Sequence, residues 1–425
     1  MVILYNCLFV CIALMYLPVY MFRRKLHRGL LRRLGLLPRG VHFDSPVWVH
    51  AVSVGETVTA RALIEELRAR FPGRQFVIST VTATGNAVAR PYAQDGDFVT
   101  YLPFDLSCVV RRVIRRVRPA LFVIVETEIW PNLITVLHDE QVPVVTVNGR
   151  LSDRSFRGYR LLRPLLRSLL EKITFFCMQS DGDAERLLRL GADPGKVRVT
   201  GNMKFDAVKA ADEGDAYPAL RRRLGLEPGS VLMAAGSTHP GEDEIIIQTY
   251  AKLRGKHCDF KLLLAPRHPE RAGRVAELVK RRHFDAVLLS TLTLPVLHEF
   301  SRRTVFILDT VGELAGYYAA ADIVFVGGSL MKKGGHNILE PAAFGKPVIF
   351  GPHMFNFRDI AAMFLERDAA LRVRNRDELE AAVMRCLEDR KFAQSLGERA
   401  QKLVAENNGA TRRTVELLAC HTIRK

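Results

Sequence analysis

Residues 119–132 read PALFVIVETEIWPN, and the fold turns on this stretch. Pro119–Val125 is an unbroken apolar run rich in β-branched residues, too short for a helix of ordinary length. A run with no polar side to turn toward water belongs to a strand covered on both faces, as in a parallel sheet flanked by helices. Two carboxylates, Glu126 and Glu128, follow at once. An unpaired charge against a buried strand is costly, so they require partners or a ligand, and a salt bridge to Arg150 or Arg154 is the plain structural alternative.

Outward from this strand the same unit recurs. Val47–Val52, Phe76–Val81, Val142–Val147, Ile173–Met178 and Val197–Thr200 read as further buried strands, with helices such as Thr57–Arg70 and Asp183–Leu190 between them. The polar stretch Ala207–Tyr217 interrupts the series. It then restarts with strands Val231–Ala235, Phe260–Ala265, Ala286–Ser290, Val305–Leu308, Ile323–Val326 and Val348–Phe350, and helices near Glu242–Leu253, Pro269–Arg281 and Ile338–Phe344. The expectation is an α/β protein with two Rossmann-like doubly wound domains facing a ligand cleft. Residues 1–40 form an anchor and basic segment, 41–206 the first domain, 207–217 a linker and 218–425 the second domain, with the last helices packing back on the first. Ser53-Val54-Gly55-Glu56 and Thr310-Val311-Gly312-Glu313 repeat one theme, each following a strand and beginning a helix.

The 425 residues, 48% hydrophobic and 25% charged, exclude a disordered, collagenous or disulfide-stapled chain. Net charge is +17, and the first 200 residues, with 28 basic against 17 acidic side chains, hold most of the excess. An anionic partner is implied. Seven scattered cysteines without CxxC spacing read as reduced and mostly buried, and no His, Cys and carboxylate cluster suggests a metal. Val2 to Phe22 carries no charge and is about the length that crosses a bilayer core. Seven bases from Arg23 to Arg39 follow it, an arrangement that keeps them at the cytoplasmic face against anionic headgroups. Asn6 and Pro18 leave a spanning helix and one lying in the interface about equally supported.

Ligands of open α/β sheets bind beyond the carboxyl ends of strands. There Glu56 reads equally as a general base or as a first-turn carboxylate favouring the helix dipole. Glu126 points to the cleft more readily than Glu128. Lys204, in Thr200–Asp206, stands at the cleft mouth as an anion partner. Gly236–Glu242 is a glycine-bounded loop of the kind that cradles phosphate. Arg267 suits a phosphate in fork geometry. Gly327-Gly328-Ser329 and Gly334–Pro341 bring backbone near a ligand, and Glu340 suits ribose hydroxyls, with Asn337 as an N-cap its structural reading. Ser155–Leu170 interleaves Arg157, Arg160, Arg163 and Arg167 with leucines. Beside an anchor, this basic amphipathic helix suits a phosphorylated lipid.

Together SVGE (53–56), ETEIWPN (126–132), NGRLS (148–152), TGNMKFD (200–206), PRHPER (266–271), FVGGSL (325–330), GGHNILEPA (334–342) and FGPHMFNF (350–357) resemble the 3-deoxy-D-manno-octulosonic acid (Kdo) transferases of lipopolysaccharide synthesis. Eight motifs in order are far more specific than any one. The resemblance implies the glycosyltransferase B (GT-B) fold, CMP-Kdo as co-substrate and lipid IVA as acceptor, at the cytoplasmic side of the bacterial inner membrane. It implies Glu56 as proton acceptor, and Glu126 and Lys204 as transition-state stabilisers. CMP binding is implied for Pro266, Arg267, Val311, Gly312, Glu313, Asn337, Ile338, Leu339 and Glu340. No metal or other cofactor is expected, because Lys, Arg and helix N-termini can meet the leaving phosphate. Single displacement with inversion follows, while the number of Kdo units added stays open. The rivals are another membrane-associated GT-B enzyme using a UDP-sugar and a lipid-linked acceptor, and a catalytically silent binding protein. Nucleic acid is disfavoured, since no recognition signature accompanies the charge.

Overall fold

A computed structural model of the chain describes residues 5–7, 9–11, 15, 29–208, 216–292 and 300–421. It divides into two units, residues 1–207 with 407–425, and residues 208–406. The second unit therefore ends at Glu406 rather than at the chain's end. The GT-B expectation of two parallel-sheet Rossmann-like bodies is met in both.

In the first unit seven parallel strands, β1 (Val47–His50), β2 (Phe76–Thr80), β3 (Phe98–Tyr101), β4 (Leu121–Val125), β5 (Val144–Gly149), β6 (Phe175–Met178) and β7 (Val197–Val199), lie in the order β3-β2-β1-β4-β5-β6-β7. Register pairs Val47 with both Phe76 and Leu121. Side chains alternate across the sheet with period two. Trp48, Val77, Phe122 and Ile124 fill the core on one face, and Val47, Val49, Phe76, Leu121 and Val123 that on the other. Every residue of β4 is fully buried, which explains its apolar run. β3 escapes the sequence reading because its burial alternates. As an edge strand, it needs no continuous apolar run.

The C-terminal helix Ala410–His421 belongs to this unit, where Ala410, Val415 and Leu418 complete the second core face beside helix Val54–Arg70. Asp206 fixes its start, accepting from the backbone N–H groups of Gly409 and Thr411. The expected helix Ser155–Leu170 is two, Asp153–Leu161 and Arg163–Leu170. Pro164 forbids an unbroken ladder, and the corner leaves Leu161 83% and Leu162 53% exposed.

The second unit repeats the architecture with β8 (Val231–Thr238), β9 (Phe260–Pro266), β10 (Asp285–Leu288), β11 (Thr304–Ile307), β12 (Ile323–Val326), β13 (Val348–Phe350) and β14 (Leu371–Arg372), ordered β10-β11-β9-β8-β12-β13-β14. The two-residue β14 is too short to leave a pattern in the sequence. The chain direction of growth reverses between β1 and β4 in the first sheet and between β8 and β12 in the second. These are the switch points at which open sheets bind ligands.

Most of the apolar run Val2–Phe22 and most of the linker 207–217 lie outside the described residues. No helix among the described residues is long and apolar enough to cross a membrane. Asn6, read as an imperfection in a span, bonds to the first unit, donating to Ser107 Oγ at 2.9 Å and accepting from Asn132 Nδ2 at 2.7 Å. The cysteines are free but mostly exposed, contrary to expectation; only Cys177 and Cys386 are buried.

Candidate active site

At the first switch point, the loops after β1 and β4 carry Glu56 and Glu126. Ser53 caps helix Val54–Arg70, and Glu56 is its third residue. The Glu56 carboxylate turns back, taking Val52 N–H at 2.7 Å on Oε2 and the Ser53 hydroxyl at 2.8 Å on Oε1. Glu56 lies in the first turn of the helix, where its charge favours the helix dipole, so the structural reading of Glu56 is realised. It does not exclude a chemical one, since the same contacts fix the carboxylate in place. Burial raises its pKa above the usual carboxylate range, Val52 and Ser53 work against that rise, and Glu126 and Lys204 act on it with opposite signs.

Glu126 directly follows β4 with φ 63°, a conformation costly for a residue with a Cβ. Its N–H still bonds Val147 O at 2.9 Å, so the sheet holds the kink. Its carboxylate meets Lys204 Nζ at 3.3 Å, both half-buried; the partner is the lysine and not Arg150 or Arg154. Lys204 is placed by a buried amide at the end of β5. Asn148, at φ 53° and fully buried, accepts Met203 N–H at 2.9 Å on Oδ1. The three residues Glu56, Glu126 and Lys204, far apart in sequence, thus share one end of one sheet.

Glu128, set aside in favour of Glu126, joins them. Burial, then the charges of Glu56 and Glu126, push its carboxyl up to about 7. The cause is legible in principle from the ETE spacing, but only the fold reveals that Glu56 is the third carboxylate. Asp105 is a second missed residue. Buried, it accepts Leu133 N–H at 2.8 Å and Asn132 N–H at 3.2 Å and so holds the first turn of helix Pro131–Asp139.

At the second switch point the expected phosphate cradle is already filled. Glu242, fully buried, accepts Gly328 N–H at 2.7 Å and His239 N–H at 2.9 Å on Oε2, with Ser329 and Leu330 N–H, both at 2.9 Å, on Oε1. The carboxylate occupies a nest of backbone donors. The glycine-rich loops after β8 and β12 are thus tied to each other, and these four N–H groups are not aimed at a ligand.

Around this tie stand the other residues that the resemblance names for CMP. Arg267 follows β9 with an exposed side chain, its N–H bonding Thr238 O at 3.0 Å. Asn337 Nδ2 donates to Glu340 Oε1 at 3.0 Å, and Asn337 Oδ1 accepts Leu339 N–H at 3.1 Å, a turn just before helix Leu339–Ala343, whose N-cap is Ile338 and not the expected Asn337; the amide orients Glu340. Burial raises the Glu340 pKa against Asn337 and Arg267. Pro266, Ile338 and Leu339 have buried side chains, which leaves only backbone for a ligand. Val311 is 86% exposed and Gly312 has φ 96°. Glu313 precedes helix Leu314–Ala320 without capping it, so the sequence echo of SVGE is not repeated in geometry. Among the described residues no group of three His, Cys, Asp or Glu side chains is placed to hold a metal.

A family profile described as 3-deoxy-D-manno-octulosonic-acid transferase (kdotransferase) matches residues 28–207, and one described as glycosyl transferases group 1 matches residues 290–403. A 3-deoxy-D-manno-octulosonic acid transferase of Haemophilus influenzae is 39% identical over 374 residues, 88% of this chain and 86% of the relative. The protein of that name from Bordetella pertussis is 34% identical over 391 residues, 88% of this chain and 87% of the relative. The solved UDP-GlcNAc 2-epimerase of Neisseria meningitidis superposes with a TM-score of 0.59 at 13% identity, over 88% of this chain and 100% of that one. That last likeness is one of fold.

Proposed function

The chain belongs to the 3-deoxy-D-manno-octulosonic acid transferase family and is a glycosyltransferase, and from that premise we propose that it moves Kdo from CMP-Kdo to lipid IVA with inversion at the inner membrane's cytoplasmic face. The observation that carries the reading is the half-buried Glu126–Lys204 pair, 3.3 Å apart, beside the fixed carboxylate of Glu56.

In this mechanism an acceptor hydroxyl oxygen bonds to the anomeric carbon of Kdo while its proton passes to Glu56. The bond from that carbon to the phosphate oxygen breaks, and its electron pair leaves with CMP. A carboxylate whose pKa burial has raised is a better base near neutrality than an ordinary one. Positive charge developing on the sugar is met by Glu126, while Lys204 offsets the sugar's own carboxylate. In the second unit Arg267 binds the phosphate, and Asn337 and Glu340 accept the ribose hydroxyls.

The test is incubation of the purified protein with lipid IVA and a CMP-Kdo supply, products resolved by mass spectrometry. Lipid IVA heavier by one or more Kdo units is the expected result. Transfer from UDP-hexoses with none from CMP-Kdo would favour the rival donor class and overturn this one.

A further inference from the structure

The second unit holds a pair of histidines that no step above uses. His239, after β8, and His336, after β12, meet Nε2 to Nε2 at 3.0 Å with rings 4° from coplanar. Two imidazole nitrogens at that distance share one proton. With both rings neutral, one ring donates Nε2–H and keeps a bare Nδ1, while the other accepts and carries Nδ1–H. A single added proton on the bare Nδ1 leaves the shared bond intact and turns both outer nitrogens into donors.

The surroundings oppose that proton while no anion is present. From the loop after β9 come Arg267, His268 and Arg271, and from the loop after β12 comes Lys333. The carboxylates nearby are committed. Glu242 is filled by backbone donors, Asp243 pairs with Arg271, Glu270 lies 3.7 Å from His268, and Glu340 is held by Asn337. Burial first, then this positive field, lowers both histidines, His336 to about 4. An arriving phosphate reverses the sign of the local charge.

Accepting that the second unit binds the donor nucleotide, we propose that His239 and His336 form one proton-accepting unit of its phosphate site, taking up one proton as the phosphate arrives so that the outer Nδ1–H of one ring donates to it while the other ring steadies that charge through the shared Nε2 bond. Binding of a nucleoside monophosphate and proton uptake are then linked.

The experiment is calorimetric titration of the full chain with CMP near pH 7, in buffers of different ionisation enthalpy, with cytidine as the phosphate-free arm. Proton uptake on CMP and none on cytidine is the expected result for the unmutated protein. His336→Gln and His239→Gln should bind CMP about tenfold more weakly near pH 6.5, and their uptake should vanish or turn to release, because the cationic site drives the remaining proton off CMP's own phosphate, which titrates at about 6. Uptake unchanged in both variants, or absent in the unmutated protein while CMP binds, overturns the proposal. No binding of CMP to the unmutated protein overturns instead the nucleotide reading on which it rests. Because the two-ligand, two-buffer comparison needs no mutant, a variant that fails to fold does not blunt the test.

Discussion

A side chain's neighbours, more than its type, set its chemistry here. Glu56, Glu126 and Glu128 are the same residue in three settings: bonded by Val52 N–H and a serine hydroxyl, paired with Lys204, and half-buried with two like charges. Glu56→Gln should lower kcat by roughly a hundredfold or more, the loss ordinarily seen without a general base, with the melting temperature showing that the fold persists. The base must be ionised, and its pKa is raised. The acid limb of a kcat/KM profile should therefore lie above the ordinary carboxylate range and vanish in that variant. Glu128, raised in the folded state to about 7, contributes stability that is present below its unfolded pKa and lost as pH rises through 7. The melting temperature of Glu128→Gln relative to the unmutated protein should therefore climb between about pH 4.5 and pH 7, a window set by the ordinary glutamate value and that raised one. A constant difference across that window would sink the idea. The sequence names Glu56, Glu126 and Lys204 through their motifs. It ranks Glu128 second and is silent on its raised pKa, because a pKa depends on what three separate loops bring together.

Elements carry the site by tying loops to one another. The TGNMKFD loop bearing Lys204 is held by Asn148 below and by the C-terminal helix above. Arg413 Nε donates to Thr200 O at 2.9 Å, and Asp206 caps the helix start. Asp206→Ala should cost about 0.5–2 kcal/mol, the usual loss for a helix cap, read by denaturant unfolding. It should also lower kcat, because the lysine loop loses its clamp. Were stability to drop with kcat unchanged, the clamp would be no part of catalysis. Strand cores were readable because double-sided burial writes a continuous apolar run. Edge strands β3 and β14, the break at Leu162 and the capture of four loop N–H groups by Glu242 were not. Each depends on contacts remote in sequence, or on a signal too short to stand out.

Over the whole molecule the excess positive charge has a physical consequence. If the basic first half meets phosphorylated lipid, binding of the full chain to anionic vesicles should weaken steadily as salt shortens the Debye length from about 10 Å at 0.1 M toward 3 Å at 1 M. Salt-independent binding would point to the apolar N-terminal run alone. Since Arg267 and Lys204 can offset the donor's charge, transfer should persist in a chelator, and its complete, reversible loss there would contradict a metal-free reaction. Two tandem α/β bodies, their switch-point loops and the family followed from the sequence, because burial periodicity and ordered motifs are local properties of a chain. Tertiary structure alone decided that Glu242 fills a cradle meant in appearance for phosphate, and that His239 meets His336. Those outcomes depend on distances between residues far apart in the chain, and only packing sets such distances.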